Sequence, residues 1–551
     1  MSSKIGKLVC NISNTQYPLI PEIVKSEFNW KVSEDESEDW DIMWTDCSVP
    51  TEILTKMKHY QRINHFPGMY LLSRKNFLAL NLKKLEKIFP NDYSFFPKTW
   101  IFPCDLSELK IINDKKTYFI VKPEASSQGK GIFLTKRPEE LNQSERFVVQ
   151  EYIASPYLID GFKFDLRIYV LVTSCDPLRI FVYQDGLARL ASEEYFKPNR
   201  RNAEQVYMHL TNYAINKSNK RFVNNKELKN DNVGHKRSLK AIWDVLQAQG
   251  ADLETLTKEI DDIIIKTLCS VQPHLSHHYL ASQPDDLSKS MCFEILGFDI
   301  ILDESLKPYL LEVNHSPSFN TDSPLDKHTK KDLIKDSLKL AWVSRRCKLE
   351  YLKKSKEDIN KRVLLKKIEK STKLEKDSIS ERFQILRDKH ELKNIGKFRK
   401  IFPVEGSERF DKFLKMAKSS WLGKTGNRRA SSIVRKYPGS IIVKSLSYKK
   451  VGLVKKNVSF NLGESIENSV FNRLSQPIVR KVKVEVNKVL PGIVYENKML
   501  YRYELPRQIA INNERVQEEL NKTKKKKLEN WRRWNNIKDF SKTYTVIKQK
   551  L

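Results

Sequence analysis

Two hydrophobic periods alternate along the first 345 residues, and each predicts a different element. Runs rich in Val, Ile, Phe and Tyr predict strands. They are TYFIVKP ending at Pro123, GIFLT from Gly131, RFVVQEYI ending at Ile153, KFDLRIYVLVTS from Lys163 and LRIFVYQDGLARLA from Leu178. The CDPL turn between the last two predicts an antiparallel pair. CFEILGFDIILD and PYLLEVNH add two more strands, with Asp303, Glu304 and Ser305 marking a turn that lets them pair directly. Apolar residues at three-to-four spacing predict helices from Lys75, His235, Asp252 and Thr329. Between residues 194 and 235 there is little periodicity, and so long a loop in a compact domain is often functional. The acidic run from Ser33 to Asp41 reads as a solvated turn.

Near residue 345 the texture changes: apolar runs shorten and Lys dominates. A helix with a basic polar face is predicted over 346–375. FRKIFP interrupts at 398–403, and a loop-like segment containing RRASSIVRKYPG follows. Residues 441–495 alternate Val or Ile with Lys, and 512–549 read as a basic amphipathic helix. The expected class is α/β with a basic, mainly helical C-terminal extension, divided at 440 and partly disordered beyond it.

Composition narrows the partner. Lys and Arg number 99 against 68 Asp and Glu, a net charge of 99 − 68 = +31 over 551 residues. Such a charge favours a polyanion without choosing among nucleic acid, an anionic membrane and an acidic protein. No apolar run reaches roughly 18 residues, so a membrane-spanning helix is not expected. The start MSSKIGKLVCNIS lacks the apolar stretch of a signal peptide. The seven cysteines form no C-x-x-C pair, which argues against a disulfide scaffold or zinc ribbon and for a reducing compartment.

Three segments carry chemistry. In IVKPEASSQGKGIF, Lys122 ends a strand and Ser126, Ser127, Gln128, Gly129 and Gly131 form a small-residue turn, a setting suited to phosphate. It is neither a Walker A loop nor part of a protein kinase, since the Walker pattern, H-R-D and D-F-G are all absent. In GFKFDLRIYV, Lys163, Asp165 and Arg167 alternate with apolar residues and share one strand face. Burying three charges there is costly unless they pair or meet a ligand, and with Lys122 and Arg189 they read as a phosphate wall. In FDIILDESLKPYLLEVNHSPSF, Asp299, Glu312 and Asn314 are hard oxygen donors of the kind Mg²⁺ takes. His315 beside them is a ligand, a base or a cap.

Together these segments resemble the tubulin tyrosine ligase-like family of ATP-grasp amino-acid ligases. The resemblance runs in family order over residues 40–345, through KHYQRINHFPGM, FPKTWIFP, FIVKPEASSQGKGIF, VVQEYI, GFKFDLRIYVLV, YQDGLARLASEEY, HLTNYAINK and CFEILGFDIILDESLKPYLLEVNHSPSF. WTDCS and INHFPGM look like the glutamylase branch, which carries a cationic microtubule-binding tail. The resemblance implies an ATP-grasp-type core with mixed and antiparallel sheets, an N-terminal domain over 1–110, a central domain over 111–160 and a catalytic domain over 161–345. It also implies a microtubule-binding region over 346–440.

It further implies roles. Lys122, Gln128, Gly129, Lys163 and Asp165 would meet the phosphates and ribose of ATP. Gln150, Glu151, Tyr152 and Ile153 would line the adenine pocket, with Thr211 and Asn212 completing the nucleotide side. Asp299, Glu312 and Asn314 would hold Mg²⁺. Arg189, Tyr213, Ala214, Lys236 and Lys331 would receive free L-glutamate, Arg167 would support the transferring phosphoryl, and His315 would lie near the acceptor. Ser126 and Ser127 stand where the family often has Gly-Cys, and Ala214 where it usually has Ser, which removes one hydroxyl contact to the amino acid.

The implied activity is ATP-dependent polyglutamylation of the acidic C-terminal tails of tubulin on microtubules, through an acylphosphate. A monomer in the cytoplasm and cytoskeleton, including cilium, axoneme and basal body, is expected, with no membrane partner. A glycine ligase of the same family, a nucleic-acid binder and a catalytically idle microtubule binder are the alternatives. Arg189 argues against glycine, which has no side-chain carboxylate, and the absence of zinc and RNA-binding motifs argues against nucleic acid.

Overall fold

In a computed structural model, residues 6–424 are described apart from 36–37, 113–115, 125–127, 226–230 and 364–371. Three sheets carry the fold. The first is parallel, in the order β2-β1-β3-β4, from β1 (Val9–Asn14), β2 (Lys31–Ser33), β3 (Ile42–Thr45) and β4 (Arg62–Ile63). The second is antiparallel, in the order β5-β8-β6-β7, from β5 (Thr99–Phe102), β6 (Phe119–Pro123), β7 (Phe133–Thr135) and β8 (Phe147–Glu151).

The third sheet is antiparallel and has seven strands. Alongside the short β9 (Leu158–Ile159) it holds β10 (Phe162–Cys175), β11 (Leu178–Leu190), β12 (Lys236–Ser238), β13 (Glu294–Leu302), β14 (Pro308–Asn314) and β15 (Phe398–Phe402). Its main path is β12-β11-β10-β13-β14. The expected pairs β10–β11 and β13–β14 are both present. This is the expected α/β class, consistent with the ATP-grasp type; where a mixed sheet was expected, the described sheets are either parallel or antiparallel.

Both faces of the third sheet are covered, and β10 shows why its period is read twice. Phe164, Leu166, Ile168, Val170 and Val172 enter a core that includes the Leu253–Ser282 helix. On the opposite face, Tyr169 and Leu171 pack with the Leu19–Ser26 and Pro324–Leu340 helices. The same face carries Lys163, Asp165 and Arg167 nearer the start of the strand, so the apolar packing ends where the charges begin.

Several elements differ from their sequence reading. Lys236–Ser238 pairs with β11 as a strand, and the helix expected from His235 begins at Leu239, capped by Ser238 Oγ. The helix expected from Thr329 begins at Pro324, capped by Ser323, and stops at Leu340. Trp342 then takes a left-handed φ of 55°, and a separate helix runs from Arg345 to Val363. Thr99–Phe102, placed by sequence in the N-terminal region, pairs with β8 in the second sheet. Asp41, at the end of the acidic run, is buried: its Oδ2 accepts from the Val9 amide at 2.8 Å, and Oδ1 lies 2.8 Å from Lys348 Nζ. RRASSIVRKYPG, the alternating stretch at 441–495, the terminal helix, Ser126 and Ser127 lie outside the described residues.

The compositional break at 345 is not where the fold ends. FRKIFP supplies β15, which pairs with Ile180–Tyr183 of β11. The Lys373–Asn394 helix is fixed to the same strand through buried charges. Arg179 of β11 donates from Nη1 to Glu391 Oε2 at 2.6 Å and to Asp388 Oδ1 at 2.7 Å. Arg387 donates from Nε to Glu391 Oε1 at 3.1 Å, and also to the Thr173 carbonyl. Glu391 is thus the shared anion of two buried guanidiniums. Glu391→Ala should lower unfolding free energy by about 3 kcal/mol, since it takes the carboxylate partner of Arg387 and one of the two carboxylates that Arg179 meets. Urea denaturation of the full chain checks this; an unchanged midpoint would contradict it.

Candidate active site

The register of the third sheet sets one row of charge across five strands. Lys236 of β12 stands opposite Arg189 of β11, and Arg189 opposite Asp165 of β10. Arg167 of β10 stands opposite Asp299 of β13, and Asp299 opposite Glu312 of β14. Arg167 grips Asp299 with two bonds, Nε to Oδ1 at 2.5 Å and Nη2 to Oδ2 at 2.9 Å. Arg189 grips Asp165 through Nε and Nη2, both at 2.7 Å, and reaches across β10 to Asp299 Oδ2 at 2.7 Å. Thr211 Oγ1 donates to Asp165 at 2.5 Å.

These groups are buried, so the pairing decides their state. Burial alone would raise the Asp299 carboxyl, but the two guanidiniums outweigh it and hold it well below the usual carboxylate range. The same carboxylate raises Arg167 against its own desolvation.

Asp165, Arg189, Asp299 and Glu312 of this row form the floor of a cleft enclosing about 630 Å³ of space free of protein atoms, part of it open to solvent. Its walls come from β6 and β8. Lys122 Nζ donates to Gln150 Oε1 at 2.7 Å, and Gln150 in turn donates to Thr99 Oγ1 at 2.9 Å. Lys163 Nζ donates to Tyr152 Oη and to the His209 carbonyl, each at 2.9 Å. His209 Nε2 lies 3.0 Å from the Asn202 carbonyl and so must carry the hydrogen there. Its Nδ1 then accepts from Tyr152 Oη at 3.0 Å. Burial and the adjacent Lys163 depress His209 to about 4, in keeping with a neutral ring. Burial likewise lowers Lys163 to about 7 and Lys122 to about 8.

Glu151, Ile153 and Asn212 line the same cleft, with Ile120, Ile132, Leu210 and Ile301 as apolar walls. Gly129, at φ +79°, brings the β6–β7 turn onto Asn212: a Cβ there would sit 2.9 Å from Asn212 Oδ1. Gln128 beside it has φ +60°, so both residues of the turn are left-handed. Asn314 Nδ2 makes long contacts to Asp299 Oδ2 at 3.3 Å and Glu312 Oε1 at 3.4 Å.

At the far end of the row, Lys236 is buried, 2.7 Å from Asp326 Oδ2 and 3.6 Å above the Tyr213 ring. Ala214 follows Tyr213 in the Tyr213–Asn216 helix. Two expected residues stand elsewhere. Lys331 points to Glu27, at 2.9 Å, and is partly exposed. Its neighbour Lys330 is the buried one, 2.8 Å from Asp326 Oδ1. The helix begins at Pro324 rather than Thr329, with Asp326 and Lys330 on its buried face.

His315 lies outside the charged row, in an adjoining pocket at the carboxyl ends of β3 and β4. Its Nε2 is 2.8 Å from Ser48 Oγ, and burial lowers its basicity. Next to it His65 bonds Glu294 Oε1 at 2.7 Å and the Thr45 carbonyl at 3.0 Å. His65 titrates above its ordinary value because Glu294 outweighs burial.

His209, Asp326 and Lys330 are the polar residues that sequence reasoning missed. His209 opens the HLTNYAINK string, and Ser323-x-x-Asp326 is a helix-start pattern, so each left a signal.

Comparison with known proteins shows the family. The tubulin-tyrosine ligase family matches residues 53–350, more than half of the chain. A probable beta-tubulin polyglutamylase of Tetrahymena thermophila is 50% identical over 426 residues, 76% of this chain and 36% of that protein. A tubulin polyglutamylase of Danio rerio is 39% identical over 473 residues, 86% of this chain and 60% of that protein. One of Mus musculus is 41% identical over 469 residues, 84% and 55% respectively. The chain therefore spans 36% to 60% of the length of these curated relatives. The chain belongs to the tubulin-tyrosine ligase family.

Proposed function

We propose that this protein is an ATP-dependent ligase that adds L-glutamate to glutamate side chains, or to growing glutamate chains, on tubulin C-terminal tails. The observation that carries the reading is the ordered row of charge, most of it flooring a cleft walled by Lys122, Lys163 and Gln150 to Ile153, with the Lys236–Lys330 pair at its far end. The names of the relatives point to the same substrate. The acidic tail suits a chain of net charge +31, whose attraction to it weakens as salt rises. Such an enzyme acts on the cytoskeleton in the cytoplasm, with the cilium, axoneme and basal body as its narrower address, and works as a monomer.

Amide formation needs the acceptor carboxylate activated. In our reading that carboxylate attacks the γ-phosphoryl of ATP, ADP leaves, and the amine of free glutamate displaces phosphate from the acylphosphate. Lys122, Lys163, Gln128 and Gly129 hold the phosphates, Gln150 to Ile153 the adenine, and Thr211 and Asn212 the remaining nucleotide side. Asp165 is committed to Arg189 and Thr211, so its part is to fix the floor as well as to meet ribose.

The residues present fit Mg²⁺. Two carboxylates and an amide converge, and an amide flip would turn the long Asn314 contacts into an oxygen aimed at the same point. Asp299, Glu312 and Asn314 would hold the ion, which when bound neutralises charge on the phosphates. Arg167 lies beside them, its guanidinium ready for the transferring phosphoryl. Lys236, Lys330 and Tyr213 receive the amino acid, with Arg189 behind them, while His315 lies on the acceptor side. A glycine ligase is the second reading, and two lysines sharing one carboxylate favour glutamate, with its second carboxylate, over glycine.

With labelled amino acid, ATP and microtubules, the full chain should incorporate glutamate in preference to glycine. Glu312→Gln should reduce the rate on the order of 100- to 1,000-fold; incorporation at the wild-type rate would overturn the magnesium assignment.

Nucleotide affinity should depend on pH. Free Lys163 is charged below about 7, and the charged form binds phosphate. Affinity should therefore be greatest below that point and fall by up to about tenfold per pH unit above it. Titration calorimetry with ADP reads this, and a flat profile in the wild type would contradict it.

Gly297 tests Arg167. An added Cβ would lie 3.0 Å from Arg167 Cδ and 3.1 Å from Nε, so the guanidinium must shift. Gly297→Ala should slow incorporation by about 100-fold with little change in melting temperature. An unchanged rate would remove Arg167 from the reaction.

A further inference from the structure

The two lysines at the amino-acid end share a single anion. Asp326 is fully buried. Its Oδ2 accepts from Lys236 Nζ at 2.7 Å and from Ser323 Oγ at 3.0 Å, while Oδ1 lies 2.8 Å from Lys330 Nζ. Lys330 also donates to the Asn320 carbonyl at 2.5 Å. The sharing joins β12 to the first turns of the Pro324–Leu340 helix. It leaves one buried positive charge in excess, and a buried charge is stable only when something answers it. The Tyr213 ring answers part of it. An anionic ligand would answer the rest.

Asp326 itself cannot receive a carboxylate, yet it decides whether its two neighbours can. We infer that Asp326 is a positioning residue for the incoming amino acid, holding Lys236 and Lys330 as a charged, converging pair for a substrate carboxylate. This rests on the ligase reading above.

The charged groups that act on Lys330 are Asp326 on its own helix, Lys236 on β12 and Arg167 on β10. Asp322 and Asp326 act on Tyr213, beneath Lys236. Burial lowers Lys330, and Lys236 and Arg167 push the same way; Asp326 is what opposes them. Without that carboxylate Lys330 loses its proton at lower pH, and the neutral amine no longer attracts an anion.

The test uses the full chain with Mg²⁺ and a non-hydrolysable ATP analogue, and measures equilibrium binding of L-glutamate from about pH 6 to about pH 9. Asp326→Asn should weaken glutamate binding by at least about tenfold at the alkaline end and recover toward the acid end. Binding of the nucleotide analogue should stay within about twofold, and Asp326→Glu should restore part of the glutamate affinity. The inference is overturned if Asp326→Asn matches the wild type across the range. It is equally overturned if glutamate and nucleotide binding are lost together, since Asp326 would then be only a helix cap. A wild type that binds the nucleotide analogue and no glutamate refutes the ligase reading, and this inference with it.

Discussion

The fold rests on one arrangement, the pairing of Arg167 and Arg189 with Asp165 and Asp299 on the floor of the third sheet. Each of these ions pays a desolvation cost of several kcal/mol, which only close, multiple bonds can offset. Those bonds exist in one register alone. A slip of one residue in β10 would turn Lys163, Asp165 and Arg167 into the core that now holds Phe164, Leu166 and Ile168. Strand pairing and site assembly are therefore the same constraint. Gly297 belongs to it as well, because the Arg167 side chain lies where a larger residue would put its Cβ.

The row is neutral at its centre, ends on β14 at the Glu312 carboxylate, and is flanked by under-compensated lysines. Two guanidiniums meet two carboxylates in the middle. Toward the nucleotide walls stand Lys122 and Lys163, both depressed by burial, and toward the far end stand Lys236 and Lys330 around a single carboxylate. The protein thus keeps its fixed charges paired where they serve as scaffold, and leaves cations under-compensated at the two places where anions are to be received.

Much of this was legible in the sequence, for a physical reason. Alternation in GFKFDLRIYV and the two-residue spacing of Glu312 and Asn314 fix which side chains share a face once a strand is assumed. The ends of elements were harder. Lys331 came from the family resemblance, which carries no helix phase; in the Pro324–Leu340 helix it is Lys330 that meets the buried Asp326, while Lys331 meets Glu27. His315 adjoins Asn314 in sequence, but the chain turns after β14 and carries it to the pocket beside His65. The commitments of Arg189 to Asp165 and Asp299 depend on cross-strand register, which no local pattern encodes. FRKIFP looked like an interruption because nothing nearby pairs with it; its partner lies more than two hundred residues earlier.

The outer edge of β11 is shared between two short strands drawn from distant parts of the chain. β12 covers the half bearing Arg189, and β15 covers the half from Ile180 to Tyr183. A chain ending near 345 would keep every residue of the charged row and still lay bare an apolar strand edge, with the unpaired amides and carbonyls that template aggregation. The basic extension therefore begins as a seal: its strand Phe398–Phe402 keeps the edge of the third sheet from becoming adhesive to its own kind.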